Sequence, residues 1–100
     1  MDFEWDEAKY RTNLIKHGID FADAATIFSG WTFTVIDTRF DYGEERKIST
    51  GKMHDVLIVV VIHTDRDGTT RLISARPASA KERMTYETAL LSAPDDGRAG

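Results

Sequence analysis

The stretch RLISARPASAKERMTYE, residues 71–87, places Arg71, Arg76, Lys81 and Arg83 close together in a chain whose formal net charge is −4. A guanidinium offers a planar fork of donors that matches two phosphate oxygens and keeps its charge at neutral pH. RNA can be cut without metal or water when its own 2′-hydroxyl attacks the adjoining phosphate. The protein must then remove one proton, supply another and stabilise the added negative charge. Arg46 and Arg76 suit the last task. His63, with an ordinary pKa of about 6.5, suits proton transfer. The candidate catalytic set is therefore Arg46, His63 and Arg76, with Lys52, Arg71, Lys81 and Arg83 as candidate RNA-binding residues. Each has a plainer reading: a strand-end histidine is more often an edge residue, and Arg46 or Arg76 can simply pair with Glu44, Glu45 or Glu82.

These side chains need elements to hold them. Asp6 can cap a helix from about Glu7 to His17, ended by Gly18. Asp20 caps a second, short helix in which Phe21, Ala24, Ala25 and Phe28 repeat at helical spacing, and Gly30 closes it. From Trp31 the period changes to that of strands, at Trp31–Asp37, Arg46–Gly51, Val56–His63 and Thr70–Arg76. Asp67-Gly68 marks a tight hairpin, and residues 52–55 suit another. Ser79 and Glu82 form a capping box for a last helix reaching about Leu91, after Pro77 has ended the strand. The expected architecture is α+β: two N-terminal helices, a four-stranded, mainly antiparallel sheet with its helices on one face, and one C-terminal helix. Residues 1–92 would form a single domain and residues 93–100 a flexible tail.

Register decides which side chains meet. Pairing Ile62 with Ile73 sets Val59 opposite Arg76, and pairing Val56 with Gly51 sets Val61 opposite Arg46. Alternation then gives a core face of Val56, Ile58, Val60, Ile62, Ile73 and Ala75. The opposite, exposed face would gather Arg46, His63, Arg76, Thr50 and Ser74 above Ile48, Leu57, Val59, Val61 and Leu72. Arg46 and Arg76 would lie roughly 10 Å apart plus some offset, a span suited to one phosphodiester. A slip of one residue would reverse the assignment.

Composition narrows the classes. With no cysteine there is neither a disulfide framework nor a thiolate metal site, and His17, His54 and His63 lack ligand spacing, so neither metal nor cofactor is expected. An acidic, aromatic start and an apolar run of only Val56–Ile62 predict a soluble, cytoplasmic protein with no membrane partner. Charge is split: residues 1–45 carry a net −6 and residues 46–83 a net +4. Screening confines charge effects to about 10 Å, so a local basic face can bind a polyanion on an acidic protein. Lys9, Asn13, Lys16 and His17 make a polar stripe on the first helix, most simply a solvent face.

The opening FEWDEAKYRTNLIKHGIDFADAATIF resembles the Trp-Asp, Lys, Asn, Lys-His-Gly, Phe, Ala, Phe pattern of the BrnT-type toxins of bacterial toxin-antitoxin pairs. GEERKISTG, VLIVVVIHTDR and RLISARPASAKERMTYE continue the likeness, which runs from Phe3 to about Tyr86. Pro77 and His63 depart from it, standing where a basic and an aromatic residue are common. The resemblance implies a RelE-like ribonuclease toxin that blocks translation by cutting RNA. It implies a cognate antitoxin, typically of ribbon-helix-helix type, that neutralises the toxin, with DNA bound only through that partner. Carried over by position, the pattern's basic residues are Lys9, Lys16, Arg46, Arg71, Arg76 and Arg83. The competing class is a non-catalytic binding module whose basic face docks an acidic protein.

Overall fold

The computed structural model describes residues 1–93. Its elements run β1 (Asp2–Trp5), α1 (Glu7–His17), α2 (Phe21–Ala24) continued by a 3-10 turn (Ala25–Ser29), β2 (Phe33–Asp37), β3 (Arg46–Met53), β4 (Leu57–Arg66), β5 (Thr69–Pro77) and α3 (Ala80–Ser92). The fold is α+β with three helices and one five-stranded sheet, ordered β1-β5-β4-β3-β2. The expectation of four strands missed β1, which adds to the edge of β5 in parallel, Phe3 opposite Thr70 and Trp5 opposite Leu72. All the expected tail except Ala93 lies outside the described residues.

The helix boundaries follow local chemistry. Asp6 accepts from the Lys9 amide at 3.0 Å and Asp20 from the Ala22 amide at 2.8 Å, satisfying donors that a helix start leaves free. At α3 the capping box forms, with Glu82 N to Ser79 Oγ at 3.2 Å and Ser79 N to Glu82 Oε1 at 2.9 Å.

Helices cover both sheet faces, not one. On the first face, Phe21, Ala24, Ala25 and Ile27 pack on Val59, Val61, Leu72 and Ala75. Phe21, fully buried, meets the rings of Trp5 and Tyr10 edge-on at 5.8 and 5.9 Å. Gly51 belongs here because a Cβ would come within 2.9 Å of Ile27 Cβ, so the 3-10 turn lies directly on the β3 backbone. On the second face α3 covers one end, where Tyr86 and Ala78 pack on Ile58 and Val60 with Trp31, Phe33 and Ile48 around them.

The register departs from expectation in two places. Met53 pairs with Leu57 and Gly51 with Val59, so β3 is shifted by three residues from the Val56–Gly51 alignment. His54 and Asp55 adopt φ of 52° and 60°, which lets a loop of residues 54–56 turn the chain. In β5, pairing near the Asp67-Gly68 turn is as expected, His63 opposite Leu72. A bulge between Ile62 and His63 then leaves Ile73 as the extra residue and sets Ile62 opposite Ser74 and Val60 opposite Arg76. Each change flips one arginine across the sheet. Val59 and Val61 therefore face the buried core, whereas Arg46 and Arg76 together line the second face.

Candidate functional site

Part of the second face is left open by α3, and its residues fall in rows across the strands. One row holds Glu4 opposite Arg71, Arg71 opposite Thr64, and, on the far side of β4, Arg46 opposite Asp37. Arg46 reaches the level of Thr64 because its neighbour Lys47 pairs with His63. Arg71 and Arg46 thus flank β4 about 10 Å apart, two strand spacings. Beyond them the floor is Ser74 and Ile62 on β5 and β4, with Ile48 and Val35 on β3 and β2. The next row holds Arg76 opposite Val60, where α3 begins. Arg46 and Arg76 are four residues apart along β4, which with two strand spacings makes about 16 Å between Cα atoms. That is more than the span expected from the sequence.

The guanidiniums differ in what holds them. Arg76 makes a fork-on-fork pair with Glu82, Nη1 to Oε1 at 2.7 Å and Nη2 to Oε2 at 2.8 Å, which pushes the Glu82 carboxyl down to about 2. Arg71 Nη1 donates to Glu4 Oε2 at 2.9 Å. Arg66 donates to Glu44, holding that carboxyl below its ordinary range. Arg46 is different. Its guanidinium carbon sits 4.1 Å above the centroid of the Tyr42 ring, and Glu44 approaches its Nε only to 3.9 Å. That Nε is buried and, among the described residues, has no hydrogen-bond acceptor. Arg46 therefore keeps unspent donors in a position fixed by stacking on an aromatic face.

Tyr42 is fixed in turn by a buried carboxylate. Asp37, its side chain 1% exposed, accepts from Tyr42 OH at 3.0 Å and from Arg39 N, Nε and Nη2 at 3.1, 2.9 and 2.9 Å. The Arg39 bonds hold the Asp37 carboxyl well below the usual carboxylate range.

His63 does not join the arginines. It lies on the opposite face, 3% exposed, with its ring edge-on to Phe28 at 5.0 Å. Its Nδ1 is 3.1 Å from Asp65 Oδ1 and its Nε2 is 2.7 Å from Ser49 Oγ. Asp65, also held by Lys47 Nζ at 2.9 Å, is an acceptor, so Nδ1 carries the proton and Nε2 accepts from Ser49. Thr34 extends the chain to Ser49 at 2.7 Å. The connectivity is that of a Ser-His-Asp triad, but Ser49 is fully buried, so no substrate can reach it. Burial lowers the pKa of His63, which the neighbouring Asp65 only partly opposes. The arrangement is a satisfied polar seam across β2, β3 and β4. His63→Ala is expected to cost about 2 kcal/mol by orphaning Asp65 and Ser49 and opening a cavity at Phe28. Urea denaturation checks this, and an unchanged midpoint would refute the role of the seam.

The remaining basic residues are more peripheral. Lys52, opposite Ile58, is exposed. Lys81 borders a groove between α3 and the sheet with Phe33, Val35 and Ile48. Arg83 Nη1 donates to the Ala78 carbonyl at 3.2 Å, bracing the start of α3. In the α1 stripe, Asn13 is buried, not solvated: it donates to the Ile19 carbonyl and accepts from the Ala75 amide at 2.9 Å, where β1 no longer covers β5. Lys9, Lys16 and His17 line a cleft between α1 and β5 that includes Ser74 of the open face. Among the described residues no group of three or more His, Cys, Asp or Glu is placed to hold a metal ion, and no helix is long and apolar enough to cross a membrane. The sequence reading missed Tyr42, Asp37 and Arg39; its only available signal was an aromatic four residues before Arg46 in DYGEER.

A five-stranded sheet with helices on both faces and an open surface lined by guanidiniums defines a small α+β protein. A family model described as "Ribonuclease toxin, BrnT, of type II toxin-antitoxin system" matches residues 5–82. The chain belongs to the BrnT family of toxins, a family whose type II systems pair each toxin with an antitoxin. It is similar to the Brucella abortus ribonuclease toxin BrnT, known from a crystal structure, with 34% identity, a TM-score of 0.60, and coverage of 79% of this chain and 97% of that one. None of the curated proteins matches the sequence.

Proposed function

We propose that the open sheet face cuts single RNA strands by the metal-independent route, in which the 2′-oxygen of the RNA attacks the neighbouring phosphate, the P–O5′ bond breaks, and solvent takes the 2′-hydroxyl proton and returns one to the departing 5′-oxygen. The observation that carries this is Arg46, whose guanidinium is stacked on Tyr42, a quarter exposed at its side chain and, among the described residues, within hydrogen-bond distance of no carboxylate. A preorganised donor aimed at developing charge stabilises the transition state without reorganising when the reaction occurs. Arg46 holds the reacting phosphate, with Arg71 across β4 beside it. Arg76, about 16 Å from Arg46, takes a separate phosphate of the same strand. Glu4 and Glu82 occupy Arg71 and Arg76 in the free protein, so RNA phosphates replace carboxylates there. Lys52, Lys81 and Arg83 supply the outer electrostatic field. His63 takes no part in proton transfer.

The biological reading follows from membership of the family. Residues 1–92 act as one RelE-like toxin domain in the cytoplasm, inhibiting translation by RNA cleavage. A cognate ribbon-helix-helix antitoxin neutralises it and contributes any contact with DNA. The test is incubation of the purified protein with RNA in the presence of a chelator. The expected products carry 2′,3′-cyclic phosphate ends, at an unchanged rate. Tight binding without cleavage would instead assign the face to docking.

A further inference from the structure

The β2–β3 loop, residues 38–45, presents a side chain that phosphate binding does not use. Phe40 is 68% exposed, yet its ring is placed: it stands edge-on to Tyr42, with centroids 5.8 Å apart and planes at 73°. Tyr42 is pinned by its hydroxyl to buried Asp37 and carries Arg46 over its ring. Asp41 accepts from the Gly43 amide at 3.0 Å, closing the tip of the loop. Single exposed apolar residues are ordinary on protein surfaces. A phenyl ring held beside a stacked tyrosine and a guanidinium with unspent donors is a more specific arrangement.

We propose that Phe40 is a stacking platform for one unpaired nucleobase of an RNA strand whose neighbouring phosphate lies on Arg46. This rests on the reading of the open face as RNA-binding and adds to it the form of RNA selected. In a duplex each base is already stacked on its neighbours, so the ring is offered only to single-stranded or splayed-out bases. Every base has a π-face, so the contact tolerates sequence. Arg39 and Arg66, 61% and 54% exposed at their side chains, are paired with Asp37 and Glu44, and the loop also carries Asp41 and Glu45, so the contact proposed for Phe40 is stacking and not charge. The buried Asp37 carboxylate lets a surface loop act as a rigid platform, because it sets Tyr42, and through it Phe40, before RNA arrives.

The test uses a single-stranded 2′-fluoro oligoribonucleotide bearing 2-aminopurine, which lacks the attacking hydroxyl and so reports binding apart from cleavage. Phe40→Ala is expected to weaken binding about tenfold or more and to abolish the change in 2-aminopurine emission. Phe40→Leu should behave like Phe40→Ala, and Phe40→Trp should bind within about twofold of the parent. Equal urea midpoints confirm that all three variants are folded. Parental binding by Phe40→Ala or Phe40→Leu overturns the proposal, as does loss of antitoxin binding with RNA binding intact, which would place the ring in a protein interface. Cleavage of ordinary RNA, followed in parallel, separates the two readings. A parent that cuts RNA, with Phe40→Ala cutting at an unchanged KM, overturns the stacking alone. A parent that neither binds nor cuts overturns both.

Discussion

Arg46→Ala is expected to lower RNA cleavage by about 10²- to 10³-fold, equivalent to about 2.7–4 kcal/mol of transition-state stabilisation, while leaving the protein folded. The side chain is 25% exposed and stacks on Tyr42, so its loss also removes some packing at that ring, which equal urea midpoints would bound. Its donors are held against Tyr42, and Glu44 approaches only to 3.9 Å, so binding a phosphate breaks a loose ion pair and no hydrogen bond to a carboxylate. Arg46→Lys should recover little, because an ammonium can neither lie flat on the ring nor offer a planar fork. Arg76→Ala should cost less in cleavage and more in stability, since Arg76 is paired bidentately with Glu82, the third helical residue of the α3 capping box. Cleavage kinetics at equal soluble expression decide the order. A fully active Arg46→Ala would move the site elsewhere on the molecule.

Phe21→Ala should destabilise the fold by about 3–5 kcal/mol. No part of Phe21 reaches solvent, and its ring joins β1 through Trp5 to α1 through Tyr10. Tyr10 also donates to Asp20, the cap of α2, at 3.0 Å, so the cavity opens where three elements meet. For a chain of this size each kcal/mol moves the Tm by about 4–8 °C, so a drop of more than about 12 °C is expected. Ile15→Ala and Leu91→Ala, at residues 87% and 89% exposed, should stay within about 0.5 kcal/mol of the parent. Thermal or urea unfolding provides the check. A loss below about 1 kcal/mol at Phe21 would contradict this description of the core.

Much of this molecule is written locally. The starts of α1, α2 and α3 were legible because Asp6, Asp20 and the Ser79–Glu82 box act within a few residues of themselves. The Asp67-Gly68 turn was legible for the same reason, both residues taking positive φ. Strand β1 was not, because its four residues carry no turn signal and gain their partner only from residues 69–72. Register failed where geometry is not encoded by residue type. The tight 54–56 loop moved Arg46 and the bulge at Ile73 moved Arg76, each by a parity flip. Two flips kept the arginines together, while His63, on the strand between them, stayed behind in the core. The Tyr42–Arg46 stack and the Asp37 anchor are products of loop conformation, and nothing in the alternation of a strand reports them.

The central claim is that RNA supplies its own nucleophile at a phosphate held by Arg46. The most direct measurement takes a short RNA cut at a mapped position and replaces only the 2′-hydroxyl on the 5′ side of that phosphate with hydrogen. The prediction is that cleavage there disappears while affinity for the strand remains close to that of the parent RNA. Continued cleavage of the deoxy-substituted strand at the same position, or products ending in 5′-phosphate, would show that water or a protein group attacks instead and would contradict the account.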